Sequence, residues 1–294
     1  MIIEGIIPPI PTPFVGEEVA YDKLQENMEK WNTTGITGYI VFGSNGESVY
    51  LTREEKLKIV TAAKVSIAAD KKLIAGTGSD SLKETIYLTN EAAARGAEAA
   101  LVVTPCYYKG QMNHEAFIRF YTTAAEAAEI PILIYDVPKF TGVHIEPRTV
   151  VELSWHSNII GIKCSGGNVA ELSEIVHRSA EDFSTIVGTA SVFYAGLCVG
   201  CKGGILALAV IAPQESVQIL DYYQGGNHPE ALRLQMLYLE ANRAVTGKYG
   251  IPGLKAALDK LGYYGGPVRR PLGPLNQTEL DDLYAILRQA KLID

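Results

Sequence analysis

The chain has 294 residues, 47% hydrophobic and 20% charged, with a formal net charge of −7; a single α/β barrel of about 250 residues plus a short extension accounts for that length. No tract has the polar, low-complexity bias of disorder, and the scattered basic residues offer no electrostatic footprint for phosphate backbones or anionic lipid, which excludes nucleic acid and membrane surfaces as partners. The opening MIIEGIIPP lacks a basic flank and a long apolar run, so no signal peptide, transit peptide or transmembrane span is expected.

In chain order, short runs that are apolar throughout alternate with longer helical patterns. Gly5–Pro11 is the first run and leads to a predicted helix over Tyr21–Asn32. Gly38–Gly43 precedes a helix over Thr52–Ala69, whose start carries a T-x-x-E capping box at Thr52 and Glu55. Lys72–Thr77 precedes Ser81–Arg95, and Ala99–Thr104 precedes His114–Ala128. Pro131–Val137 and Ile159–Lys163 are followed by helices over Glu146–Trp155 and Val169–Ser179. Ser184–Gly188 with Ser191–Val199, then Gly203–Ala209 with Pro213–Tyr223, complete eight units. Strands without polar alternation are buried on both faces, and strict strand–helix alternation makes a parallel sheet. Eight such units close most simply into a (β/α)8 TIM barrel over residues 1–224. The runner-up, an open doubly wound sheet, would usually carry a glycine fingerprint after its first strand, where this chain has Pro-Pro-Ile-Pro-Thr-Pro. Beyond Gly225 the strand signals cease, and helical patterns near Pro229–Thr246, Ile251–Leu261 and Thr278–Leu292 predict a C-terminal helical extension over residues 225–294.

In this fold catalytic groups project from the C-terminal ends of the strands and the loops that follow. Lys163 closes Ile159-Ile160-Gly161-Ile162-Lys163. Strand alternation puts it on the face opposite the isoleucines, hence inward if the isoleucines meet the helix layer. Desolvation there favours the neutral amine that attacks a carbonyl; the alternative is a lysine snorkelling to solvent at a strand end. Tyr135 closes the neighbouring run, where its phenol is either a proton shuttle within reach of that amine or a core tyrosine with a satisfied hydroxyl. The Gly43-Ser44-Asn45-Gly46-Glu47 turn offers backbone N–H groups, the Ser44 hydroxyl and the Asn45 amide to a carboxylate, although a lone turn of this kind is more often only a turn. Tyr107 and Tyr108, after the fourth run, either line the pocket or pack against another subunit.

Cys106, Cys164, Cys198 and Cys201 are too few for a disulfide framework and point to a reducing, cytoplasmic setting. The Cys198-x-x-Cys201 pair has no second pair of ligands nearby, and His114, His144, His156, His177 and His228 are scattered, so neither a metal nor any other cofactor is expected.

Taken together, G-S-N-G-E, T-P-C-Y-Y, Y-D-V-P and G-I-K follow one another in the order and spacing of the dihydrodipicolinate synthase/N-acetylneuraminate lyase family of class I aldolases. The resemblance runs over nearly the whole chain. Within the family the nearest likeness is to the 4-hydroxy-2-oxoglutarate aldolases, carried by Gly43–Glu47, Thr104–Tyr108, Lys163–Gly167, Tyr249–Lys255 and Gly262–Pro267. The resemblance implies a Schiff-base lysine at Lys163, a proton shuttle at Tyr135, and a 2-oxo acid carboxylate held by Ser44 and Asn45, where the synthases usually have two threonines. It implies contacts to the distal half of the substrate from Ser165 and Gly188, a pyruvate-side lining from the backbone of Ile205, and a catalytic tyrosine at Tyr107 that reaches across a subunit contact. It also implies a homo-oligomer, a tetramer, acting on pyruvate-type substrates without a cofactor. Phe140 stands where the synthases carry an arginine that clamps the second substrate, and a phenyl ring offers no bidentate fork. Neighbouring Lys139 could substitute only in part, as a point charge. That departure speaks against dihydrodipicolinate synthesis, and by the likeness to the aldolases the expected reaction is retro-aldol cleavage of 4-hydroxy-2-oxoglutarate to pyruvate and glyoxylate. The alternatives are condensation of pyruvate with aspartate semialdehyde by a 4-hydroxy-tetrahydrodipicolinate synthase, a metal-dependent aldolase, and a 2-oxo acid binding protein without turnover.

Overall fold

Strands apolar on both faces need a filled interior on one side and a helix layer on the other. The computed structural model, which describes residues 1–294, supplies both. Its strands are β1 (Gly5–Ile6), a small antiparallel hairpin of β2 (Phe14–Val15) and β3 (Glu18–Val19), then β4 (Gly38–Val41), β5 (Lys72–Ala75), β6 (Ala99–Val103), β7 (Ile132–Asp136), β8 (Ile159–Cys164), β9 (Ser184–Val187) and β10 (Gly203–Gly204). The eight outside the hairpin are parallel neighbours in the order β1-β10-β9-β8-β7-β6-β5-β4. A bridge between Pro9 and Ile40 joins the two ends into a (β/α)8 barrel, with the Ile40 N–H on the Pro8 carbonyl and the Ile10 N–H on the Ile40 carbonyl, both at 3.0 Å.

The predicted helices lie within a few residues of the observed ones, and the Thr52/Glu55 capping box forms in full. Two runs are shorter as strands than their apolar length suggests. Prolines 8, 9 and 11 have no N–H to give, so the first run pairs only at isolated points beyond Ile6. The last run leaves the sheet after Gly204 and coils into a short helix over Leu208–Ile211, the ambiguity inherent in a short all-apolar segment. The predicted helix over Pro229–Thr246 is three pieces: His228–Leu237, Leu239–Arg243 and a π-helical turn over Ala244–Lys248. Helices over Gly250–Lys260 and Gln277–Gln289 follow, and their Leu254, Leu258, Leu283 and Leu287 share one hydrophobic cluster with Phe14, Trp31 and Val41 from the barrel. No helix is long and apolar enough to cross a membrane.

The interior of the barrel is filled by Ile7, Ile40, Ile74, Leu101, Leu133, Ile186 and Ile205, together with Tyr135. One departure from simple alternation governs which way Lys163 points. Ile132 pairs with Ile159, but Leu133 pairs with Gly161, so β8 carries one extra residue against β7. Ile162 packs outward in the cluster of Phe117 and Tyr121, as alternation from Lys163 requires, whereas Ile159 joins it there and Ile160 turns to the interior cluster, both opposite to strict alternation. The expectation that every isoleucine of this run faces the helices therefore fails at Ile160, and the bulge explains it. Gly161 is the residue that lets the strands close up: a Cβ there would lie 2.3 Å from the Ser184 carbonyl oxygen and 2.9 Å from Leu133 Cδ1. Gly161→Ala should lower unfolding stability by about 1–3 kcal/mol through overpacking, read as a reduced urea midpoint; an unchanged midpoint would show that β8 has slack it is not seen to have.

Candidate active site

The register that follows the bulge sets Tyr135, near the C-terminal end of β7, directly beside Lys163 near the end of β8. Both side chains are buried, Lys163 at 4% and Tyr135 at 5% exposure, and Lys163 Nζ lies 4.1 Å from the centroid of the Tyr135 ring. The phenol oxygen extends to 3.3 Å from Ser44 Oγ, on the turn after β4. An amine, a phenol and a hydroxyl thus stand in line at the mouth of the barrel: a nucleophile for a carbonyl carbon and two groups that can each donate or accept a proton.

The turn carrying Ser44 is unusually shaped for its sequence. Ser44–Gly46 is a single 3₁₀ turn flanked by Phe42 at φ +38° and Glu47 at φ +56°, both non-glycine residues in a left-handed conformation that persists only where surroundings enforce it. Thr12 Oγ1 donates to the Gly46 carbonyl at 2.7 Å. The Asn45 amide, expected to hold a carboxylate, donates one of its two N–H groups to the Pro9 carbonyl at 3.2 Å. In this structure it ties the turn to the proline run after β1 while Ser44 faces the phenol.

Beyond Lys163, the Ser165 N–H donates to the Asp136 carbonyl at 2.9 Å and Ser165 Oγ donates to the Gly188 carbonyl at 3.3 Å. A Cβ at Gly188 would fall 2.7 Å from the Cys164 carbonyl oxygen, backbone that cannot turn aside, and 2.1 Å from Ser165 Oγ. Ile205 is fully buried in the same interior cluster as Tyr135, and its N–H is taken by the Val187 carbonyl at 2.9 Å. Ser44, Tyr135, Lys163, Ser165, Gly188 and Ile205 all sit at strand ends or in the loops after them, as the barrel rule requires. Tyr107 is the outlier. Its side chain is 77% exposed and lies edge-on to Tyr108, and its hydroxyl has no hydrogen-bond partner within the chain; only its N–H is held, by Asp80 Oδ1 at 2.8 Å. Phe140 is likewise exposed, at 61%, while Lys139 Nζ donates to the Thr246 carbonyl at 2.9 Å.

Sequence reading assigned no role to Asp136 or Lys255, and none of its own to Glu47. Asp136, next to Tyr135, is buried, with Oδ2 at 3.0 Å from His144 Nδ1 and Oδ1 accepting the Ile145 N–H at 3.3 Å. The hydrogen bond to Asp136 raises the His144 imidazole above its ordinary value against the opposing effect of burial, with Glu171 adding its charge from the other side at 3.4 Å. This contact fastens the segment after Phe140 to β7. All four cysteines are free, and burial pushes the Cys201 thiol up to about 12.

A (β/α)8 barrel that offers a buried amine, a phenol and a hydroxyl at its strand ends has the architecture of an aldolase-type carbon–carbon lyase. Comparison with known proteins agrees. The model of the Dihydrodipicolinate synthetase family matches residues 2–290, and the chain belongs to that family of lyases. It is 34% identical over 287 residues to a 4-hydroxy-tetrahydrodipicolinate synthase of Methanothrix thermoacetophila, covering 96% of each chain. Among solved structures it is similar to dihydrodipicolinate synthase from Aquifex aeolicus, with 30% identity, a TM-score of 0.93 and 99% of each chain covered. It is also similar to the chloride-inhibited synthase from Acinetobacter baumannii complexed with pyruvate, with 28% identity, a TM-score of 0.94, and 99% of this chain and 100% of that one covered. These relatives carry the synthase name and not that of a 4-hydroxy-2-oxoglutarate aldolase, the nearer likeness expected from the motifs.

Proposed function

We propose that the protein makes or breaks a carbon–carbon bond at C3 of pyruvate held as a Schiff base on Lys163. The observation that carries this reading is the line from Lys163 Nζ across the Tyr135 ring to Ser44 Oγ. The Lys163 nitrogen lone pair attacks the C2 carbonyl, water leaves, and the iminium becomes an electron sink. In the cleavage direction Tyr135, having given its proton to the departing water, takes the proton from the C4 hydroxyl as the C3–C4 bond breaks. The bonding pair moves into the iminium as an enamine, which is protonated at C3 and hydrolysed from the lysine. The Ser44 hydroxyl and the turn backbone hold the 2-oxo acid carboxylate, with Asn45 keeping that turn against Pro9. Ser165 and Gly188 border the distal half of the substrate, and Ile205 the pyruvate end. Tyr107, exposed and unpartnered, serves a neighbouring subunit of a homo-oligomer, a tetramer by resemblance.

The second reactant has two readings. The motif likeness to the 4-hydroxy-2-oxoglutarate aldolases supports retro-aldol cleavage of 4-hydroxy-2-oxoglutarate to pyruvate and glyoxylate; residues Val137–His144 contain no arginine, and Phe140 offers no fork, so the distal carboxylate that both candidate substrates carry is met here without one. The names of the relatives favour condensation of pyruvate with aspartate semialdehyde. Parallel assays of pyruvate release from the hydroxy-oxo acid and pyruvate consumption with the semialdehyde separate them. The aldolase reading expects the higher kcat/KM for cleavage; the reverse ratio assigns the protein to the synthases.

A further inference from the structure

We propose that the buried ion pair between Glu47 and Lys255 is a positioning device through which the C-terminal helices set the shape of the Ser44–Gly46 turn. This rests on the reading of that turn as the seat of the substrate carboxylate. The two side chains are 0% and 1% exposed, and Lys255 Nζ is 2.5 Å from Glu47 Oε1, an oxygen that has no other polar partner. Glu47 Oε2 accepts the Arg269 N–H at 2.8 Å, and Lys255 Nζ also donates to the Pro267 carbonyl at 2.7 Å while lying 4.3 Å from the centroid of the Phe14 ring. Both carboxylate oxygens are therefore held by residues that lie far along the chain. Burial draws the Lys255 ammonium down to about 8 even with Glu47 opposing, which marks the pair as cut off from water.

A structural tie alone could sit anywhere on the surface of the barrel. This one holds the first residue after the turn, at the position where the backbone is left-handed and joins the 3₁₀ turns Ser44–Gly46 and Ser48–Tyr50. A non-glycine residue keeps that conformation only when its surroundings over-determine it, and the contacts that fix the Glu47 side chain are the ion pair and the Arg269 N–H. Arg269 extends the same clamp: it reaches Glu55 in bidentate fashion and donates to the Tyr50 carbonyl at 2.8 Å, so the segment after Gly262 grips both ends of the second 3₁₀ turn. Loss of the pair frees Glu47 to relax, and with it the distance from Ser44 Oγ to the Tyr135 hydroxyl.

The test titrates pyruvate in borohydride trapping on the full-length protein, well below the Tm of each variant. The Glu47→Gln/Lys255→Met double variant, which removes both charges together, is expected to raise the half-saturating pyruvate concentration at least tenfold while maximal labelling of Lys163 is retained. Lys255→Arg, which keeps the charge but not the geometry, is expected to raise it about threefold or more, and it decides the matter if the double variant does not fold. A lowered Tm with half-saturation unchanged in Lys255→Arg would make the pair a stabilising contact only and overturn the proposal. Wild-type protein that takes no label at Lys163 would overturn this proposal together with the function it rests on; a labelled wild type with unmoved variants overturns the proposal alone.

Discussion

Lys163→Ala is expected to lower kcat by at least about 10⁴-fold, the scale seen when a covalent nucleophile is removed from a unit of cooperating groups. Without the amine there is no iminium to receive the C3–C4 bonding pair, and no other lysine stands at a strand end beside the phenol. The fold should survive, because the change removes a buried polar group and leaves a small void next to Tyr135, which stays packed among Ile7, Leu133 and Ile205. Circular dichroism and a Tm measurement on the same sample check that point. A variant that folds and retains activity within tenfold of wild type would remove Lys163 from the chemistry.

Tyr135→Phe should cost about 10²- to 10⁴-fold in kcat, the range for a positioned acid–base group. It is the cleaner of the two changes. The ring that packs 4.1 Å below the Lys163 amine remains, so nothing is lost but the hydroxyl and its 3.3 Å contact with Ser44. The lysine keeps its apolar wall, and pyruvate should still be trapped at saturating concentration, though more slowly. Trapping at the wild-type rate combined with unimpaired turnover would leave the phenol a core residue.

Much of this molecule can be read from local pattern. Eight apolar runs separated by helical periods state the barrel, because a strand buried on both faces leaves no polar alternation to misread. Lys163 and Tyr135 were legible as a pair since adjacent units of a barrel put their strand ends side by side, and Ser44 since it opens the loop after a strand. The bulge at Ile160 was not legible: alternation is a rule about ideal strands, and the extra residue shows itself only in the register against Leu133 and Ser184. The β2–β3 hairpin, two residues a side around Gly16, is too short to raise a periodic signal.

The contacts that secure the site are legible last of all. Glu47 appears in sequence as the end of a turn and Lys255 as one lysine of an amphipathic helix; their pairing depends on the C-terminal helices folding back beside Phe14. The tie from the Asn45 amide to the Pro9 carbonyl is likewise invisible in the sequence. On the second substrate, the motif likeness and the relatives' names pull apart.

The most direct test of the central claim is borohydride reduction in the presence of pyruvate, followed by peptide mass analysis. The expected result is a pyruvate-derived mass on the peptide containing Lys163, with Lys71 and Lys255 unmodified. Active enzyme whose Lys163 stays unmodified under these conditions would contradict it.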